Sequence, residues 1–178
     1  MMKYNIDMYK GRVFNEDEDV IFFYSHKGSK KGLTKACFSQ WWMCDFEENG
    51  LTFNCAEQWM MWNKAKTFHD EEIAEKILKA TEQAEIKALG RAVRGFDPKV
   101  WDAVKKDIVV HGNVVKFSQN PELKEFILAT GDKVLVEASM YDRIWGIGLR
   151  AHECDVSKWH GSNLLGFCLM EARDIIRQ

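Results

Sequence analysis

Only two prolines interrupt the 178 residues, and no apolar run approaches the roughly 18 residues that a membrane span requires. The amino-terminal stretch MMKYNIDMYKGR lacks an apolar core of signal-peptide length, so the expected setting is cytoplasmic, with no membrane partner. A basic excess is missing too. Lys and Arg number 25 against 27 Asp and Glu, a formal net charge of -2, which argues against general nucleic-acid binding and leaves room only for a local basic site. The five cysteines (Cys37, Cys44, Cys55, Cys154, Cys168) are odd in number, scattered and without a C-x-x-C pair, and read as reduced thiols. His152, Cys154 and His160 match no common zinc spacing, and His26, His69 and His111 read as surface or packed residues. Neither a metal nor a cofactor is expected. Repeats, low-complexity tracts and long linkers are also absent. A content of 46% hydrophobic and 12% aromatic residues supports one sizeable core, so one domain over 1–178 is expected, its core at about 20–176.

Against these absences stands the stretch Gly50 to Phe68, GLTFNCAEQWMMWNKAKTF, in which one acid is set into an aromatic wall. Leu51 to Phe53 reads as the end of a short strand, and Asn54 as the N-cap of the helix that follows. On that helix Met61, Lys64 and Phe68 share the face of Glu57, while Trp59, Met60 and Trp62 make the other sides apolar, so the helix should be buried almost all round. Glu57 has two readings. Three residues after Asn54, its carboxylate can reach back to the Asn54 N–H as a capping box. Alternatively, a carboxylate beside Met and Trp is poorly solvated, its pKa rises, and it becomes reactive.

Elsewhere Val20 to Ser25 suits a buried strand, and HKGSKKGLTK, with Lys27, Lys30, Lys31 and Lys35, reads as a basic loop, either a solvated face or a cover for an anion. Phe38 to Phe46, with Trp41 and Trp42, reads as strand or core, and Glu47 to Gly50 as a turn. Asp70 caps a helix carrying Ile73 and Ile77; Thr81 caps a shorter one ending at Gly90. GRAVRGF then brings Arg91 and Arg94 together, either to cover helix ends or to grip a phosphate with a guanidinium fork. Asp97-Pro98 starts a long helix to about Ser118, with Val100, Trp101, Val104, Ile108, His111 and Val115 on its apolar face, and Asn120-Pro121 starts another that ends at Gly131.

Val134 to Ala138 is a compact strand, followed by SMYDRIWGIG, in which Asp142 and Trp145 lie in a glycine-containing loop directly after the strand. Such loops commonly carry function, although Trp145 could instead pack as a lid on the core. Ser162 or Asn163 caps a last helix whose buried stripe is Leu165, Leu169, Ala172 and Ile176. The expected class is α+β, mostly helical, with a small sheet formed by the early strands and the one near Val134.

These motifs occur in an order that resembles a known family. Phe23-Tyr24-Ser25, Phe38-Ser39-Gln40-Trp41, Thr52 to Phe68, Gly90-Arg91, Trp101, Lys116-Phe117 with Asn120, Ser139-x-x-Asp142-x-x-Trp145-Gly146 and Asn163-x-Leu165-Gly166 ending in Leu169-Met170-Glu171 together resemble the YbiA-like, or NADAR (DUF1768), family from about Val20 to Ile176. The resemblance implies a YbiA-like fold and an N-glycosidase. One branch of the family cleaves the bond between ribose 5-phosphate and the aminouracil in early intermediates of riboflavin synthesis; other members are associated with ADP-ribose, including its removal from modified guanine in nucleic acid. It implies the essential acid at Glu57 and further aromatic and acidic site positions at Trp101, Asp142 and Trp145. Ser39, Ser139 and Gly146, inside the matched motifs, complete the expected substrate-binding set. One departure is visible: the family usually shows Ser-Asn-Phe where this chain has Ser39-Gln40-Trp41.

The chemistry of these residue types is consistent with that implication. Breaking a C–N glycosidic bond builds positive charge on the sugar, which a carboxylate at Glu57 would stabilise while activating water. Asp142 is the candidate acid for the leaving base, Trp101 or Trp145 would stack on the heterocycle, and Lys64, Arg91 and Arg94 would hold the phosphate. The expected partner is a small phosphoribosyl or ADP-ribosyl molecule; nucleic acid enters only under the ADP-ribosyl-guanine alternative. A non-catalytic nucleotide-binding module is the reading from another class.

Overall fold

A computed structural model describes residues 3–25, 27, 32–150 and 152–178; His26 and the Gly28, Lys30 and Lys31 of the basic loop lie outside it. The elements run β1 (Val20–Phe23), β2 (Phe46–Glu48), β3 (Leu51–Phe53), α1 (Ala56–Thr67), α2 (Glu71–Lys79), α3 (Gln83–Arg91), α4 (Pro98–Gln119), α5 (Pro121–Leu128), β4 (Val134–Glu137) and α6 (Leu164–Arg177). The mostly helical α+β class is as expected. Among the described residues no helix is long and apolar enough to cross a membrane.

The early strands, however, do not share one sheet. β1 pairs in parallel with β4, Val20 opposite Val134 and Phe23 opposite Glu137, whereas β2 and β3 form a separate antiparallel pair. The reason is Asn49-Gly50: both residues have positive φ, 53° and 76°, the conformation of a two-residue hairpin turn whose twist matches the flanking strands. Glu47 and Glu48 therefore belong to a strand, and only Asn49 and Gly50 turn.

The parallel pair is the centre of the main core, with Val20, Phe22, Phe23, Leu135 and Val136 buried together with Phe38, Phe117 and Leu169. α6 crosses β4 closely enough that a Cβ at Gly166 would lie 2.0 Å from the Leu135 carbonyl oxygen. Asn163, which precedes α6 at a left-handed φ of 53°, makes no side-chain cap bond. Its carboxamide serves β4 instead: Nδ2 donates to the Leu135 carbonyl (2.9 Å) and Oδ1 accepts from the Glu137 N–H (3.0 Å). Unlike a strand at an open edge, β4 thus has these two backbone groups satisfied without a neighbouring strand.

None of the residues of α1 is exposed, but its burial is less complete than its sequence suggests: Ala56, Gln58, Trp59, Met60 and Ala65 are buried and the others half-buried. Its start differs from the expectation. Cys55, not Asn54, is the N-cap, and the Asn54 N–H donates to Oε1 of Gln58 (2.8 Å). The same Gln58 carboxamide donates to the Ile77 and Ala80 carbonyls at the end of α2. Gln58 so fills the reach-back role of a capping box and leaves the neighbouring Glu57 out of it. α3 likewise starts after Glu82 rather than Thr81 and runs past Gly90 to Arg91. On α4, Val100 and His111 are exposed, while Asn113 and Lys116 are fully buried. The Lys116 ammonium donates to the Cys37 (2.7 Å) and Ser39 (3.1 Å) carbonyls, and Asn113 donates to the Gln40 side chain (3.0 Å). Together they hold segment 37–40 against α4.

Gly166→Ala should test the α6–β4 contact. The added methyl meets the Leu135 backbone and, at 2.6 Å, the Asn163 carboxamide that is itself bonded to β4, so a loss of about 3 kcal/mol is expected, at the upper end of typical overpacking costs. Chemical denaturation would read it; an unchanged midpoint would contradict this packing.

Candidate active site

One cavity of about 280 Å³ gathers residues from five parts of the chain. Segment 39–41 supplies Ser39, Gln40 and Trp41; α1 supplies Glu57, Met60, Met61 and Lys64; α3 supplies Lys87, Gly90 and Arg91. The end of β4 and the loop beyond it contribute Glu137, Asp142 and Trp145, and α6 adds Leu165. The Glu57 N–H donates to the Gln40 carbonyl (2.9 Å), so the segment held by Lys116 and Asn113 is joined directly to the first turn of α1.

Three carboxyl groups face one another here. Burial pushes Glu57 up to about 7, the Lys87 ammonium opposing and Asp142 adding to the shift. Glu137 is pushed up to about 8, again by burial first, then by the charges of Asp142 and Glu57. Its Oε2 is buried with no hydrogen-bond partner. Asp142 is bound into its loop: Oδ1 accepts from the N–H groups of Ile144 (2.9 Å) and Trp145 (2.7 Å). A cavity in which burial raises two carboxyls, one of them with an oxygen that has no partner among the described residues, has the features of an acid–base site.

A cationic side faces these acids. Lys64 donates to the Gly90 carbonyl (2.7 Å) and its ammonium lies 4.3 Å from the Phe96 ring centroid; burial lowers its pKa. With Lys87 and Arg91 it forms a patch on α1 and α3 suited to an anionic group. The Trp41 and Trp145 indoles supply flat apolar surface.

Of the residues singled out from sequence, Ser39, Glu57, Lys64, Arg91, Asp142 and Trp145 thus line one cavity, and four others stand elsewhere. Trp101 is buried in the main core. Arg94 is turned away from the cavity by its own partners: it donates to the Asp70 carboxylate through Nε (3.0 Å) and Nη2 (2.5 Å) and pairs with Glu72 (3.1 Å). It covers the start of α2, the first of the two uses its sequence position allowed. Ser139 and Gly146 lie behind the wall, where the Ser139 N–H donates to the Glu137 carbonyl (3.0 Å) and the Gly146 carbonyl accepts from the Asn163 N–H (3.1 Å). Sequence reasoning missed Gln40, Trp41, Lys87 and Glu137 as lining residues. For Glu137 a signal existed, an acid ending an otherwise apolar strand; for Lys87, one cation on an amphipathic helix, there was none.

Buried acids opposite a cationic patch, in a cavity of small-molecule size, define a site for acid–base chemistry on a phosphorylated or otherwise anionic ligand. The NADAR domain family matches residues 22–177, and the chain belongs to that family. It is 45% identical to an N-glycosidase of Acanthamoeba polyphaga mimivirus over 167 residues, 89% of this chain and 97% of that protein. It is 32% identical to the N-glycosidase YbiA of Escherichia coli over 111 residues, 62% and 64% of the two chains. A riboflavin biosynthesis protein of Vibrio vulnificus is 31% identical over 115 residues, 65% of this chain and 29% of that protein. The NMR structure of Escherichia coli YbiA superposes with a TM-score of 0.70 at 26% identity, covering 94% of this chain and 92% of that one.

Two stability measurements separate the roles of these charges. Arg94 holds the Asp70 carboxyl well below the usual carboxylate range, so this pair contributes stability above an unfolded pKa of about 4 and loses it as pH falls through the lower folded value. Arg94→Ala should therefore lower Tm at pH 7, progressively less below pH 4, with kcat/KM unchanged. Glu57 has the opposite sign: its folded pKa is raised, so between about pH 4.3 and 7 the unfolded state binds fewer protons and stability falls as pH rises. Glu57→Gln should be the more stable protein at pH 8, by on the order of 3 kcal/mol, and lose most of that advantage at pH 4.5. Thermal melts at the two pH values would show it, and a variant less stable at pH 8 would contradict the burial of a charge at Glu57.

Proposed function

We propose that this chain hydrolyses the C–N glycosidic bond of a phosphoribosylamino-pyrimidine, an intermediate type of riboflavin synthesis, to ribose 5-phosphate and the free aminouracil. The chain is an N-glycosidase, a hydrolase of N-glycosyl bonds, as its named relatives in the family are. The observation that carries the reading is Glu57, a desolvated carboxyl in a cavity whose other flank is cationic.

As the glycosidic bond lengthens, positive charge grows on the sugar ring. A carboxylate at Glu57 lies in a low-dielectric site where it stabilises that charge strongly, and it is placed to take a proton from the attacking water. Lys64, Lys87 and Arg91 hold the phosphate, which keeps the sugar carbon near Glu57; Trp145 stacks on the pyrimidine. Size favours the phosphoribosyl substrate over an ADP-ribosyl one. At about 280 Å³ the cavity sits at the lower end of small-molecule sites, which run to roughly 1,000 Å³, and a second phosphate and an adenine would need more room. The Vibrio vulnificus relative bears a riboflavin biosynthesis name, which supports the same choice.

The test is release of ribose 5-phosphate from the phosphoribosylamino-pyrimidine by the wild type and by Glu57→Gln, which also corrects for spontaneous decay. Glu57→Gln should fold and lose turnover, and wild-type kcat/KM should rise with pH through about 7 as Glu57 ionises. Wild-type release no faster than that of the variant overturns the substrate assignment. A folded variant with full turnover removes Glu57 from the chemistry.

A further inference from the structure

From the cavity's geometry we infer that Glu137 is the proton donor to the leaving base, and that Asp142 shapes the loop around it. This rests on the N-glycosidase reading above and adds a second catalytic residue to it.

Glu137 sits at the last position of β4, opposite Phe23. Its backbone is held on both sides: its N–H by Asn163 (3.0 Å), its carbonyl by the Ile147 N–H (2.9 Å) and the Ser139 N–H (3.0 Å). The side chain lines the cavity, and its Oε2 is buried with no partner. Buried polar atoms in folded proteins are nearly always satisfied, so a carboxyl with an unsatisfied oxygen, on a residue that lines a cavity, is a group without a partner in the fold and open to one from a ligand. As a carboxylate this oxygen would be uncompensated; as an acid it carries an O–H to donate. Asp142 is differently placed, because its Oδ1 already accepts from two loop N–H groups.

The charged neighbours agree with this division. α1 presents Glu57 and Lys64, α3 presents Lys87 and Arg91, and the loop after β4 presents Asp142; segment 39–41 and α6 add no charge to the lining. The Lys87 charge acts on Glu57, whereas the charges that act on Glu137 are Asp142 and Glu57, both negative. The Lys87 charge favours the carboxylate at Glu57, and the two negative neighbours favour the protonated form at Glu137, which suits Glu57 to act as base and Glu137 as acid.

In the reaction, the bond from C1′ of the ribose to the exocyclic nitrogen breaks with its electron pair going to nitrogen. The proton on the Glu137 carboxyl passes to that nitrogen. Water oxygen bonds to C1′ and its proton passes to Glu57, so one water is added across the C–N bond. The proton on Glu57 then returns to Glu137 through solvent, restoring both groups.

The experiment compares wild type, Glu137→Gln, Glu137→Asp and Glu57→Gln on the phosphoribosylamino-pyrimidine across pH, with carboxyl-carbon NMR of 13C-glutamate-labelled protein alongside. Glu137→Gln keeps the shape and removes the acid; kcat should fall by about 10² or more. The wild-type alkaline limb near pH 8 should vanish from the residual rate, and Glu137→Asp should restore part of kcat. Undiminished kcat in Glu137→Gln, or a loss that leaves the alkaline limb in place, overturns the assignment. If wild type is no faster than Glu57→Gln, the substrate reading fails by itself, and NMR decides Glu137: a carboxyl titrating near 8 that Glu137→Gln removes upholds it as the protonated group, and one titrating near the ordinary glutamate value of about 4.3 rejects it.

Discussion

The site depends on how β4 ends. A two-stranded parallel pair has little cohesion of its own, and β4 would present an unpaired edge where α6 begins. Asn163 meets that edge with one carboxamide. The ladder then continues without a strand, as the N–H groups of residues 160–165 donate to the carbonyls of the loop after β4: Ser162 to Arg143, Leu164 to Ile144, Leu165 to Trp145, His160 to Ile147. The loop carrying Asp142 and Trp145 is therefore fixed from Arg143 to Ile147, and Asp142 within it and Glu137 at its start keep a defined relation to α1. Groups that must act together within fractions of an ångström need support of this kind.

A second constraint works from the opposite wall. Lys116 is fully buried, and its charge is compensated by two backbone carbonyls and the face of Phe117, 5.0 Å from the ring centroid. Burial lowers its pKa accordingly, and such a group costs stability unless its donors are well placed. What it secures is segment 37–40, whose Gln40 carbonyl receives the Glu57 N–H. Gln40, one carbon longer than the family's usual Asn, reaches Asn113 on α4. That bond uses the Gln40 oxygen; among the described residues Gln40 Nε2 and Asn113 Oδ1 stay buried without a partner.

The electrostatics of the cavity follow from desolvation. Glu57 and Glu137 are raised mainly by burial; Asp142 adds to both shifts, and Glu57 adds to that of Glu137. Each costs folding stability at neutral pH, a tension common at sites that need reactive groups at a fixed place. Asp70 shows the contrast: a carboxylate given a guanidinium partner is lowered and stabilises the fold.

Much was legible from residue order alone. Asp97-Pro98 and Asn120-Pro121 mark helix starts because proline suits the first helical position, and both helices begin there. That α1 exposes none of its residues follows from its apolar faces, and the poor solvation of Glu57 follows from its place among them. Local spacing could not say which neighbour makes the reach-back bond at the start of α1, since Glu57 and Gln58 both fit within one residue; the approach of α2 selected Gln58. Arg91 and Arg94 looked alike in GRAVRGF, yet one turn of chain separates a cavity residue from a partner of Asp70. Sequence by itself determined which acids and rings are present and which of them sit in apolar stretches, because periodicity and capping act over a few residues. Which carboxyl has a partner, which oxygen is left free and which cation faces which acid were decided only when α1, α3, β4 and α6 packed around one cavity, because those are contacts between residues distant along the chain.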